Sequence, residues 1–140
     1  MKRHPLLVPA LSLLGCLWLG LSLMPTAQAI PRTYAPVDIT PFRNESDPNP
    51  LLLAIRTFGQ REGAFPEGLR SESVIVNYIT PERAVVELTV NGLADDSVAA
   101  RRFRLEMRLR QDRWVLVAAG RQNQCRRGAN PRLWTGQVCP

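Results

Sequence analysis

The chain has 140 residues, 45% hydrophobic and 21% charged, with 18 Lys+Arg against 12 Asp+Glu and a formal net charge of +6. Its one lysine, Lys2, and its one histidine, His4, both precede residue 30, so every later base is arginine. Beyond that point the chain holds no Ser-His-Asp or Cys-His nucleophile system, no His-ligated zinc or copper and no lysine for a Schiff base.

The first 29 residues read as an export signal. Lys2 and Arg3 make a short positive start, and Leu6 to Met24 is apolar except for Ser12 and Ser22. Ala27-x-Ala29 then offers the small side chains that a signal peptidase pocket accepts. Cleavage after Ala29 is expected to leave Ile30–Pro140, one domain's length, at a charge of +4. The expected destination is the periplasm or the extracellular space. Two alternatives stay open. The apolar run approaches the ~20 residues of a membrane helix, which would make it an uncleaved anchor. Leu13-Leu14-Gly15-Cys16 resembles a lipobox, which would make the protein a membrane-anchored lipoprotein at Cys16. Against the lipobox, Leu17 to Leu21 continues the apolar run where a polar tether is usual.

Residues 30–49 carry Pro31, Pro36, Pro41 and Pro48. Proline lacks the backbone N–H that helices and central strands require, so an extended arm or a set of turns is expected. Val37, Ile39 and Phe42 are available to dock it. Asn44-Glu45-Ser46 matches a glycosylation sequon, a tripeptide that also arises by chance.

Residues 50–140 read as a single domain. Asn49 suits a helix N-cap and Pro50 the first helical position. Leu51, Leu52, Ile55 and Phe58 are expected to form the core-facing stripe. Gly59 should weaken the helix and Gly63 end it, with Gly63 to Gly68 as a loop.

From Ser73 the period changes to two. Val74, Val76 and Tyr78 alternate with Ser73, Ile75 and Asn77. After a turn at Thr80-Pro81-Glu82, Ala84, Val86, Leu88 and Val90 alternate with Arg83, Val85, Glu87 and Thr89. These two strands predict a hairpin. Asn91 to Ser97 is the next connection. Phe103, Leu105, Met107 and Leu109 then face one way, and Arg102, Arg104, Glu106, Arg108 and Arg110 the other, as on a half-buried antiparallel strand. Gln111-Asp112-Arg113 turns the chain into Trp114 to Ala119, which is apolar on both faces. Arg121 to Pro140 reads as a loop-rich tail. An even cysteine pair in an exported chain, Cys125 and Cys139, predicts a disulfide closing that tail. The expected fold is α+β: one N-terminal helix packed on a curved four-stranded antiparallel meander, with a disulfide-closed C-terminal tail.

Gly92-Leu93-Ala94-Asp95-Asp96-Ser97-Val98, Trp114, Ala119-Gly120-Arg121-Gln122, Cys125, Trp134 and Cys139 together resemble small exported proteins of cyanobacteria and related bacteria. The resemblance runs from about Leu51 to Cys139 and brings no established activity with it. More loosely, a helix followed by strands ending in a Trp-x-Leu strand is similar to cystatin-like and NTF2-like domains. The Gln-x-Val-x-Gly motif of cystatins is absent, and folds of this kind host many functions.

The candidate functional residues are arginines. Arg102, Arg104, Arg108 and Arg110 share one strand face, where like charges repel and a partner would relieve them. Guanidinium forks match carboxylates and phosphates. Arg121, Arg126 and Arg127 lie in a polar segment, Gly120 to Gly128, that the disulfide would pin, and rigidity favours a binding loop. The plain alternative is a solvated face, balanced by Glu106 and by acids such as Glu87 on neighbouring strands. The expected partner is an anionic envelope component or an acidic protein. Nucleic acid is not expected, because export removes the protein from most of it and no aromatic residue interleaves with the arginines on that face. A membrane is expected only through an uncleaved or lipidated signal segment. Asp95-Asp96-Ser97 suits a turn better than a calcium or acid–base site. No catalytic residue, metal or cofactor is assigned. The leading function is thus an exported, non-catalytic binding or interaction module. The alternatives are a carboxylate-dependent hydrolase acting on envelope glycans and a structural accessory protein.

Overall fold

The computed structural model describes residues 30–59 and 71–140. The expected signal segment, with Cys16, Ala27 and Ala29, lies outside the described residues. So does the expected loop from Gly63 to Gly68.

The fold is α+β, one helix on a largely antiparallel seven-stranded sheet. The elements in chain order are β1 (Ala35–Pro36), a 3-10 helix (Thr40–Phe42), β2 (Ser46–Asp47) and α1 (Pro50–Phe58). Then follow β3 (Ser71–Thr80), β4 (Arg83–Asn91), β5 (Val98–Arg110), β6 (Arg113–Cys125) and β7 (Trp134–Thr135). The expected four-stranded meander is corrected to an open sheet of order β1-β6-β5-β4-β3, with β2 and β7 also on β6. The three extra strands are two residues each. β2 pairs with Trp114 and Val115, β1 with Gly120 and Arg121, and β7 with Asn123 and Gln124. Strands this short carry no periodicity of their own. They form because β6 would otherwise leave its backbone N–H and C=O groups unpaired along an edge.

Asn49 caps α1 as expected, its Oδ1 accepting from the Leu51 N–H at 2.9 Å, with Pro50 in the first turn. The buried face is different from the one expected. Leu53 and Ala54 are completely buried, whereas Leu52 and Ile55 are exposed. Five consecutive apolar residues, Leu51 to Ile55, blur the helical period, so packing chooses the face. Arg56 holds the opposite side outward: its guanidinium binds Glu45 at 3.2 Å, Asp47 at 2.8 Å and the Ser46 carbonyl at 3.1 Å. The helix stops at Phe58 rather than at Gly63. A Cβ on Gly59 would sit 2.4 Å from the Ile55 oxygen, and the Gly59 N–H donates to that oxygen at 2.8 Å.

β5 and β6 run 13 residues each and reach past their expected ends. Two bulges explain the difference. Ala99 and Val117 are extra residues in their ladders, each re-phasing the alternation that marked the strand in sequence. Gly120 to Gln124 is therefore strand, not tail. Gln111 and Asp112 make the tight connection with φ of 48° and 58°, the left-handed geometry that suits the twist of a two-residue hairpin.

The core lies on the helix side of the sheet. Leu53 and Ala54 pack with Ala84, Val86, Leu105, Met107, Trp114, Leu116 and Ala119, and Val37, Ile39 and Phe42 dock the arm against them. Leu88, Val90, Leu93 and Val98 form a second cluster. Phe58 bridges the two, its ring 5.0 Å from both Phe42 and Phe103. Cys125 and Cys139 form a disulfide with Cα atoms 5.4 Å apart, and Cys139 packs on the second cluster.

Candidate functional site

β5 carries the arginine row on the sheet face away from α1. Along that face the row has two different ends. Arg102 is enclosed. Its Nε and terminal nitrogen both donate to the Gln122 Oε1. The guanidinium carbon lies 4.6 Å from the Trp134 ring centre and 5.7 Å from that of Tyr34, so the cation sits over two aromatic faces. Gln122 is buried and passes the contact on, its Nε2 donating to the Thr33 carbonyl at 3.0 Å. Gly120 permits this cover. A Cβ there would fall 2.5 Å from an Ile30 methyl and 2.9 Å from the Tyr34 Cβ. The arm and the tail thus fold over one end of the row.

Arg104 lies between two acids, 3.9 Å from Glu87 and 3.8 Å from Glu106, at ion-pair but not hydrogen-bond distance. Its Nε and the Glu106 Oε1 are buried with no hydrogen-bond partner among the described residues. Glu106 is 5% exposed, and burial pushes its carboxyl above the ordinary range against the opposing pull of Arg104, Arg83 and Arg108. Burial likewise pushes the Tyr34 hydroxyl up, with the Arg102 charge opposing and Glu87 adding to the rise.

The other end of the row is open. Arg108 stands directly opposite Arg83 of β4, and Arg110 opposite Arg113 of β6. Arg113 is occupied by the Ser46 hydroxyl at 2.9 Å and its carbonyl at 2.8 Å. Arg108 and Arg110 form no hydrogen bond or ion pair among the described residues. Arg83, Arg108 and Arg110 line a groove of about 190 Å³ with Glu82 and Leu109. Next to it, a water-sized recess of about 10 Å³ joins Arg83 and Arg108 to Ile79, Val85, Val117 and Glu106.

The remaining expected residues lie elsewhere. Arg121 pairs across the ladder with Phe103, on the helix side, and its Nε is buried without a hydrogen-bond partner among the described residues. Arg126 straps the Gly92–Ser97 loop, donating to the Asp95 and Leu93 carbonyls at 2.8 Å each, and Arg127 reaches the Asp96 carbonyl at 3.4 Å. Asp95 is a turn residue: its Oδ1 accepts from the Val98 N–H at 2.9 Å and the Ser97 N–H at 2.8 Å, which hold its carboxyl below the ordinary range. The disulfide-closed tail bounds an open cavity of about 450 Å³, lined by Arg127, Leu133, Trp134 and Val138 among others. Among the described lining residues Arg127 is the one cation, with Asn130 and Thr135 as neutral polar neighbours.

No family model, curated protein or solved structure matches the chain. The expected likeness to cystatin-like and NTF2-like domains finds no support among them. The seven candidate arginines make four separate groups, Arg102 with Arg104, Arg108 with Arg110, Arg121 by itself and Arg126 with Arg127, and Arg83, not singled out from the sequence, stands beside the second. The signal for Arg83 was present. It follows the Pro81-Glu82 turn at once, and antiparallel register places it across from Arg108.

Proposed function

We propose that the protein is an exported, non-catalytic binding module that takes an anionic partner at the open end of its arginine row. Residues 1–29 would direct the export, in keeping with the resemblance to small exported bacterial proteins. One observation carries the binding reading. The Arg108 and Arg110 side chains form no hydrogen bond or ion pair among the described residues, and each faces another arginine directly across the ladder. Like charges opposed in this way destabilise a sheet, and an anion bridging the guanidinium forks would reverse the sign of that term. Arg102 and Arg104 are engaged inside the protein and support the face rather than a ligand.

The test is binding of a soluble polyanion, dextran sulfate, to the purified protein at increasing salt. Affinity should fall as salt screens the exposed charges. R108A/R110A should abolish most of it, while R126A/R127A should leave it near wild type. No binding by the wild type, or equal loss in both double variants, would overturn the site. An intact mass of the exported protein that does not begin at Ile30 would overturn cleavage after Ala29.

A further inference from the structure

Three large apolar side chains of β3 stand in solvent: Ile75 at 55% exposure, Tyr78 at 62% and Ile79 at 50%. Tyr78 faces the helix side, its ring 5.7 Å from that of Trp114. Ile75 and Ile79 are on the arginine side, where Ile75 pairs with Glu87 and Ile79 lines the recess beside Arg83 and Arg108. Exposed isoleucines on an outer strand have no role in the core, and strand edges are usually protected by charge. β3 has one charged residue, Glu72, at its far end. β6 offers the contrast, since three short strands cover its outer edge.

From this pairing of isoleucines and arginines we infer that the anion is the headgroup layer of a lipid bilayer carrying acidic phospholipid. The inference rests on the anion-binding reading above and narrows its partner. A soluble polyanion would meet the guanidinium groups and leave Ile75 and Ile79 in water. A bilayer surface offers phosphates to Arg83, Arg108 and Arg110 and an acyl boundary to the isoleucines beside them. Arginine suits this depth: its fork binds phosphate in two places while its stem lies along apolar surface. Glu82, Asp112 and, within the recess, the buried Glu106 are the acids at this end, beside Arg83, Arg108, Arg110 and Arg113. The protein would lie on the surface by one corner of the sheet, reversibly, with attraction set by lipid charge and screened by salt.

Sedimentation of the exported protein, cleaved after Ala29 so that the apolar run Leu6–Met24 cannot itself enter the bilayer, with phosphatidylcholine vesicles, with and without phosphatidylglycerol, tests this. Binding should require phosphatidylglycerol. R108A/R110A should weaken it roughly tenfold or more, since each arginine near an anionic surface contributes about a factor of five. I75S/I79S should weaken vesicle binding several-fold and leave dextran sulfate binding unchanged. An I79W variant reports contact directly: bromine-labelled acyl chains should quench its added fluorescence. If dextran sulfate binds but I75S/I79S has no effect on vesicles and I79W is not quenched, the lipid inference falls and the anion site stands. If neither vesicles nor dextran sulfate bind, both fall. Far-UV circular dichroism of each variant separates loss of binding from loss of fold.

Discussion

Arg102 and Arg108 occupy the same face of the same strand, yet one is part of the structure and the other is not. Arg102 has a buried amide to donate to, two aromatic rings beside it and the arm and tail folded over it. Arg108 is half-buried like Arg102, but it has an arginine opposite it and borders an open groove. The difference shows that a row of like charges has no single meaning. Its covered end is internal architecture, and its other end is where we propose recognition. What separates them is where residues remote in sequence return to the sheet: Thr33 and Tyr34 from the arm, Trp134 from the tail.

The largest expected effect falls on the covered end. C125S/C139S should cost roughly 3 kcal/mol of unfolding free energy, the chain-entropy value for a loop of about 15 residues. It should also release Trp134 from Arg102. Urea denaturation measures the first and near-ultraviolet circular dichroism the second. A loss below ~1 kcal/mol would show that the tail holds its place without the bond.

R102A should cost about 1–3 kcal/mol, because the buried Gln122 loses the donors to its oxygen. G120A should cost a similar amount, about 1–3 kcal/mol, by overpacking against Ile30 and Tyr34. R110A, an exposed change, should stay within about 0.5 kcal/mol of wild type, and R108A, half-buried but without a side-chain hydrogen bond, should cost less than R102A. Equal costs at Arg102 and Arg108 would break the comparison.

Glu106 sharpens it through pH. Its carboxyl is raised by burial in the folded protein above the unfolded value near 4.5. The folded state therefore holds the proton more tightly, and this group's contribution falls as pH rises from the unfolded pKa through the folded one. The stability of wild type relative to E106Q should decline across that window and then level off, as measured by denaturation at a series of pH values. The opposite slope would mean that the arginines around Glu106 outweigh its burial. The smallest expected effect is at Asp95, whose carboxyl is lowered by the Val98 and Ser97 amides. D95N should remove a stabilisation that the wild type has above the ordinary carboxyl pKa of 3.8 and loses as pH falls through its lower folded pKa. Thermal melts at neutral and acid pH should show a small difference that disappears in acid.

Much of this fold was legible because local rules agree. Asn49-Pro50 caps a helix by its own chemistry. The alternation from Val74 to Val90 and from Phe103 to Leu109 places one face of each strand on the core. The helix face was not legible, because Leu51 to Ile55 is apolar throughout and only packing selects Leu53 and Ala54. The full length of β6 was hidden by the bulge at Val117, which shifts the period midway. β1, β2 and β7 were hidden because two residues cannot show a period, and their reason for existing is the open edge of a distant strand.

The candidate site divides in the same way. The sequence by itself determined the residue types: arginine as the base available after Lys2 and His4, an alternating strand that shows four of these on one face, and a cysteine pair spaced to close the tail. Only the tertiary structure decided which arginines are covered and which line a groove. Gln122, Tyr34 and Trp134 reach Arg102 through contacts that sequence spacing does not encode, and the β4–β5 register brings Arg83 to Arg108. Side-chain alternation is a property of one strand, whereas neutralisation and burial depend on which strands and segments meet.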